Sequence, residues 1–363
     1  MEKKFFKIVL IVAINLAACL VPVLGYYAYG KLTYPAYFCG SFGQVDDEIG
    51  WMIAPNAQSC MGGRAAFDSG PPWYEAKVLA DANGFRSGTR GAPTAQGGVM
   101  TVGDSWTFGY GVAFEDSYPG QLQKSGVPVV AAASPAYGSA QALLLAERWA
   151  PQLKPRAIVY LDQGNWDRSA CRGAARPTAI LKPCYWQPPG AERAELVKPP
   201  AGRVLRFASF GVMPGGMLGA GEDGWMYFLI SRPVSLAYQL LARANIVAGF
   251  GDDFRAVGVN EVAIRRAVFD HVARLAAAQK VPVLVLDPQD FYGNFVPALF
   301  GDASVYLRHV GKEKWQKAVV TPAAALPPEQ AAVPHDGHFG PGTNALVAKL
   351  VREELQAAGV RLD

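Results

Sequence analysis

Apolar and polar residues follow more than one rhythm along this chain. From about Gly98 onward, short unbroken apolar runs occur at 99–102, 127–132, 157–161 and 281–286. Runs that short, without polar alternation, predict strands buried on both faces. Between them, apolar residues recur at helical spacing over 139–149, 261–279 and 344–358. Strands alternating with helices predict an α/β fold built on a mostly parallel sheet with both faces covered. Residues 31–97 lack this rhythm. They are rich in Pro, Gly and aromatics and read as an irregular preamble packed on the main domain, 98–363. The rhythm breaks again at about 169–257, with Pro-rich stretches and a long apolar piece at 225–241. That segment reads as an insertion that caps or flanks the sheet. Its apolar piece predicts a buried core helix, with a membrane-surface helix as the alternative.

The N-terminus has its own pattern. No charged residue occurs from Ile8 to Gly30; Lys3, Lys4 and Lys7 precede this run and Lys31 closes it. About 20 apolar residues span a bilayer as a helix, so 8–30 predicts a transmembrane anchor. The basic residues before it place 1–7 in the cytoplasm and the main domain in the bacterial periplasm. Tyr26, Tyr27 and Tyr29 would then lie near the outer interface. A cleaved signal peptide is one rival, but the run is longer than a usual signal core and lacks a clear cleavage site. A lipoprotein signal is another, since Leu16-Ala17-Ala18-Cys19 has lipobox-like composition. The residues after Cys19 stay apolar, which favours the anchor.

Composition agrees with a large core plus a membrane segment: 51% of the 363 residues are hydrophobic and 18% are charged. This argues against extensive disorder. A net charge of +4, without a basic run, excludes nucleic acid as an expected partner. Of the five cysteines, Cys19 lies in the apolar run. Cys39, Cys60, Cys171 and Cys184 form an even set in a compartment that permits disulfides. Proximity suggests Cys39–Cys60 and Cys171–Cys184, among three pairings; four free thiols are the alternative. No CxxC occurs, so no zinc or redox motif is expected.

Chemistry in open parallel sheets sits at the carboxyl ends of strands. The first predicted strand ends in Gly103-Asp104-Ser105, the second near Ala133-Ser134-Pro135-Ala136-Tyr137-Gly138, and the third in Asp162-Gln163-Gly164-Asn165. His335-Asp336-Gly337-His338 precedes the last helix. This is the inventory of acyl transfer: a serine, a base to take its proton, a carboxylate to orient the base, and donors for an oxyanion. Candidate donors are the N–H groups of Ser105 and of Ala136 or Gly138, and the Asn165 amide. Each residue also has a bland reading. Ser105 suits a helix N-cap, Asn165 a turn, and His338 a loop position satisfied by a carbonyl. Trp106, Phe108, Tyr110 and Tyr137 line a cleft in the functional reading and fill a core in the other. His335 and His338 as a metal pair is disfavoured, because His271 and His309 sit in other contexts.

In their order, these blocks resemble the SGNH hydrolases, also known as GDSL-type esterases. The likeness covers roughly 98–358, with the insertion unaligned. Upstream, "DDEIGWMIAPN" (46–56) and "NGFR" (83–86), followed by "GDSWTFGYGV" and "DSYPGQLQ", resemble the membrane-anchored bacterial branch. The resemblance implies a flavodoxin-like three-layer α/β/α sandwich, and hydrolysis or transfer of acyl esters without metal or organic cofactor. By position it implies Ser105 as nucleophile, His338 as base and Asn165 as an oxyanion donor. Three departures stand out. The family's glycine in the second block falls on Ala136, with Gly138 two residues on. The Asn that often opens that block is replaced by Ala131-Ala132-Ala133. His335 occupies the usual Asp position, three before His338, so Asp336, two before it, becomes the expected orienting carboxylate. The expected substrate is an acylated carbohydrate or lipid, with O-acetyl groups of a cell-envelope polysaccharide the specific expectation. A plain lipid esterase is a variant of that reading. The alternative is a catalytically idle accessory subunit that binds a membrane-protein partner.

Overall fold

The chain folds as an α/β protein around a mixed sheet. The computed structural model describes residues 36–40, 42–64, 70–164, 169, 182–188, 190–198, 260–292 and 306–362. The expected anchor at 8–30, Asn165, Cys171 and most of the expected insertion lie outside the described residues. No helix among the described residues is long and apolar enough to cross a membrane.

The first strands are β1 (Ala36–Phe38), β2 (Gly43–Asp46), β3 (Gly50–Ile53), β4 (Gln58–Gly63), β5 (Tyr74–Ala80) and β6 (Arg86–Ser87). The later ones are β7 (Val99–Gly103), β8 (Val129–Ala133), β9 (Ala157–Leu161), β10 (Cys184–Trp186), β11 (Glu195–Val197), β12 (Val283–Leu286) and β13 (Leu307–Val310). The main helices are α1 (Ser105–Phe108), α2 (Tyr118–Lys124), α3 (Ser139–Leu153), α4 (Glu261–Gln279), α5 (Lys312–Trp315) and α6 (Pro341–Ala357).

Nine strands form one sheet in the order β1-β4-β5-β6-β8-β7-β9-β12-β13. From β8 to β13 every pairing is parallel. Side chains of β12 show why its sequence is apolar throughout. Val283 and Val285 join the core under α3 and α4, with Leu143, Ile264 and Phe269. Leu284 and Leu286 join the opposite core under α2 and α6, with Leu122, Val347 and Val351. Each such side chain contributes about 1.5–3 kcal/mol on burial, so neither face of the strand is left for water. Counted along the parallel half, the strand order is second, first, third, fourth, fifth. The chain therefore switches direction beside β7, and the crevice at the carboxyl ends of β7 and β9 is where such sheets hold ligands.

The preamble corrects one expectation. Between 36 and 87 the described residues are not irregular: β1, β4, β5 and β6 extend the sheet with antiparallel pairings, and β2 pairs with β3 as a separate hairpin. In β5, Ala76, Val78 and Ala80 face inward and alternate with Glu75 and Lys77, which are exposed. That period of two is the ordinary signature of a strand with one wet face. Cys39 and Cys60 form a disulfide with Cα atoms 4.9 Å apart. Cys184 is disulfide-bonded as well.

Candidate active site

β7 delivers Ser105 to the crevice. Gly103 closes the strand where a side chain has no room: a Cβ there would overlap Thr107 Oγ1 and stand 3.0 Å from the Leu161 carbonyl oxygen. Asp104 then caps α1, its carboxylate accepting the Trp106 N–H at 3.0 Å. Capping by Asp104 frees Ser105 from that task and turns it into the first residue of the helix. After α1, the chain bends through Gly109-Tyr110-Gly111. The buried Arg86 guanidinium holds this bend, donating to the carbonyls of Phe108 and Gly109 and, at 2.6 Å, of Val112. Burial pushes Arg86 down to about 9, with the Glu115 charge pulling the other way.

His338 arrives from the loop before α6. The Val333 N–H donates to the His338 carbonyl at 2.8 Å, and Ala332 and Phe339 form a β-bridge, which makes a short hairpin of 332–339. Asn344, fully buried in α6, donates to the carbonyls of Phe339 (2.9 Å) and Gly340 (3.1 Å) and accepts the Tyr118 N–H (3.0 Å). One amide thus ties the histidine loop to α2. Within the hairpin, the N–H groups of Asp336 (3.2 Å) and Gly337 (3.3 Å) converge on the Val333 carbonyl. This tight turn brings a carboxylate only two residues upstream back to the imidazole.

The structure brings Ser105, His338 and Asp336 together. His338 Nε2 lies 2.8 Å from Ser105 Oγ. His338 Nδ1 is hydrogen-bonded to Asp336 Oδ1. The imidazole sits between two rings, Trp106 at 4.9 Å and Tyr110 at 4.8 Å between centroids. Burial raises the Asp336 carboxyl, but the hydrogen bond and charge of His338, with help from Tyr74, outweigh it and hold the group below its ordinary value of 3.8. The carboxylate is therefore held in its ionised form beside the imidazole.

The expected oxyanion donors divide. The N–H groups of Ser105 and Ala136 have no hydrogen-bond partner among the described residues. Ala136 has φ 64, the left-handed region that favours glycine, which is what the second block's glycine would supply. The Gly138 N–H is committed to Gln141 Oε1 at 3.1 Å as the N-cap of α3, which removes it from the donor set. Asn165 lies outside the described residues. Beside it, Asp162 anchors the third block: burial raises its carboxyl, while the hydroxyls of Tyr292 and Tyr160 and the Gly164 N–H donate to it. In the same two blocks Ser134 Oγ and Gln163 Nε2 are buried with no hydrogen-bond partner among the described residues.

Of the expected cleft aromatics, Trp106 and Tyr110 flank the histidine, whereas Phe108 and Tyr137 are core residues. Tyr137 has a structural task, donating to the Trp51 carbonyl at 2.7 Å, and Gln141 donates to the Ile49 carbonyl at 2.9 Å. The β2–β3 hairpin thereby braces the turn that holds Ala136. It is itself fixed by Arg148, which bonds Asp46 (2.7 and 2.9 Å) and Glu48 (2.8 Å). His335 takes no part in the Ser105 contacts; its ring packs at a tilt against Trp73, 4.2 Å between centroids.

Among the described residues two groups of metal-ligand type lie elsewhere: Cys39, Cys60 and Glu75, whose two cysteines are joined as a disulfide, and Asp287, Asp290 and His309, with ligand atoms within 4.8 Å of one another. Asp287 already accepts the N–H groups of Phe291 and Tyr292, both at 2.9 Å, and His309 Nε2 at 3.1 Å. These bonds make it a turn anchor. Sequence reasoning passed over Tyr74, Asn344 and the task of Arg86. The "NGFR" segment, noted for its family likeness, contains Arg86; nothing local marked the other two. Scanned against protein-family models, the chain matches none. No curated protein matches it either.

Proposed function

We propose that this chain is a serine ester hydrolase or O-acyltransferase of SGNH type. The observation that carries the reading is the continuous chain Ser105 Oγ–His338–Asp336, with 2.8 Å between hydroxyl and imidazole. The parallel strand order and helices on both faces support a flavodoxin-like three-layer sandwich. The idle-subunit alternative expects either a filled cleft or the histidine turned away from the serine; the observed contact supports the catalytic reading on the second point.

In the proposed reaction, His338 Nε2 takes the Ser105 proton as Oγ bonds to the ester carbonyl carbon. The oxyanion is met by the N–H groups of Ser105 and Ala136, with Asn165 the expected third donor. Collapse breaks the bond to the alcohol oxygen, which leaves with the proton from His338. Water or a sugar hydroxyl then repeats the sequence on the acyl-enzyme, giving the free acid or the transferred ester. The Asp336 carboxylate stabilises the imidazolium in both halves without itself being protonated. The proposed substrates are O-acetyl or other acyl esters of a cell-envelope carbohydrate. The proposed location is the periplasmic face of the inner membrane, anchored by 8–30.

Labelling by a fluorophosphonate probe tests this reading directly. Wild-type protein is expected to label at one site, and Ser105→Ala to lose the label. Release of acetate from an acetylated polysaccharide, abolished by the same substitution, would extend the result to substrate. A folded wild-type protein that neither labels nor releases acetate would favour the accessory-subunit alternative.

A further inference from the structure

The Asp336 carboxylate has two oxygens, and the imidazole uses one of them. Oδ1 receives His338 Nδ1 and, at 3.4 Å, the His338 backbone N–H. Oδ2 receives the Tyr74 hydroxyl at 3.4 Å, from a residue 262 positions away in the chain. Tyr74 opens β5, in the antiparallel half of the sheet. The Tyr110 ring packs 6.4 Å from Tyr74 and 4.8 Å from the imidazole. Two tyrosines thus bracket the pair: one bonds the carboxylate, the other covers the imidazole, and their rings meet edge to face.

The sequence makes room for this bracket. Gly63 pairs with Tyr74 across β4 and β5, and a Cβ at Gly63 would stand 2.5 Å from Tyr74 Cε1. There is also a reason for it. Asp336 lies in a turn between left-handed His335 (φ 59) and Gly337 (φ 87). A carboxylate held by one oxygen on such a turn remains free to rotate about its own bonds. A donor on the second oxygen fixes the plane and aims Oδ1 at Nδ1, as outer-shell partners do for other catalytic groups. Burial, then Tyr110 and Asp336, push the Tyr74 phenol well above its ordinary range, so it remains a donor.

We infer that Tyr74 is a positioning residue for the Asp336–His338 pair, acting with Tyr110, so that residues 31–97 supply part of the working site. The inference rests on the reading of Ser105 as an activated serine. The test compares full-length wild type with Tyr74→Phe, which keeps the ring in its seat and removes only the hydroxyl. Two quantities are read: the rate of fluorophosphonate labelling at Ser105, and the downfield proton resonance of His338 Nδ1, assigned by its loss in Asp336→Asn. Tyr74→Phe is expected to slow labelling about threefold to tenfold, the scale of a long hydrogen bond to a charged group. It is also expected to shift or broaden the resonance while thermal unfolding stays unchanged. An unchanged rate with an unmoved resonance overturns the inference. If wild type does not label, the esterase reading fails on its own, and the resonance alone decides the role of Tyr74. If Tyr74→Phe does not fold, Tyr110→Leu, which removes the ring packed on both Tyr74 and the imidazole, must lower the rate or move the resonance in the same direction; no change there overturns the bracket.

Discussion

Asp336 reaches His338 across a spacing of two residues, and the turn converging on the Val333 carbonyl makes that spacing workable. Asp336→Asn preserves shape but removes the charge that selects the imidazole tautomer and stabilises its cation. Labelling of Ser105 is expected to fall by about a thousandfold, somewhat less than the loss for a buried serine-protease aspartate. The same substitution has a stability signature with a definite sign. The folded carboxyl is held below 3.8, so its ionised form stabilises the native state above that pH. The contribution is lost as pH falls through the folded value. Wild type should therefore lose more stability than Asp336→Asn on acidification from about pH 5 to about pH 2, measured by urea unfolding at each pH. Equal slopes would mean that the pair adds nothing to folding. At this scale the sequence was largely legible for Ser105, His338 and Asp336, because each lies in a short segment whose chemistry is local. Tyr74 was not legible, because its partner is 262 residues away and nothing near Tyr74 names it.

Elements set these side chains by bracing, and the bend after α1 shows how. It carries Tyr110 against the imidazole, yet its carbonyls at Phe108, Gly109 and Val112 turn inward and need donors. Arg86 supplies all of them from β6. Two effects oppose each other when it is replaced. Arg86→Met removes a costly buried charge, but it orphans three carbonyls, each worth about 1–3 kcal/mol when left unpaired. The second effect is larger, so Arg86→Met is expected to destabilise by about 2–4 kcal/mol in urea unfolding, with slower labelling in the fraction that remains folded. A neutral result would show that water replaces the guanidinium. The parallel strands and long helices were readable from period alone: 157–161 and 261–279 stand as expected. The preamble strands were missed, although Tyr74–Ala80 alternates cleanly, because glycines and prolines around it mask a period of two. β13 was missed for another reason. An edge strand with exposed Arg308 and partly exposed His309 lacks the apolar run that marked its neighbours.

The whole molecule joins two half-sheets through a narrow seam, since β6 meets β8 at one residue pair, Arg86 with Ala131. Period and motif located the parallel half, where the serine and its base belong. They were silent on an antiparallel half beside it, because no local pattern states which edge a strand will join. Ser105, Asp336 and His338 all lie within 98–363, which on its own would make the segment before residue 98, its β2–β3 hairpin included, an appendage. The core says otherwise. Ile49, Trp51, Ile53, Met61, Val78 and Phe85 are all buried in the same cluster as Met100, Leu143 and Val283. At about 1.5–3 kcal/mol each, those six side chains carry on the order of 10 kcal/mol, which equals the entire net stability of an ordinary domain. A chain beginning at residue 98 is therefore expected to be unfolded by circular dichroism and unlabelled by fluorophosphonate, beside a full-length chain that is folded and labelled. If the shortened chain instead folds and labels at the full rate, the parallel half stands alone, and neither the Arg86 brace nor the Tyr74 bracket is required for an activated serine.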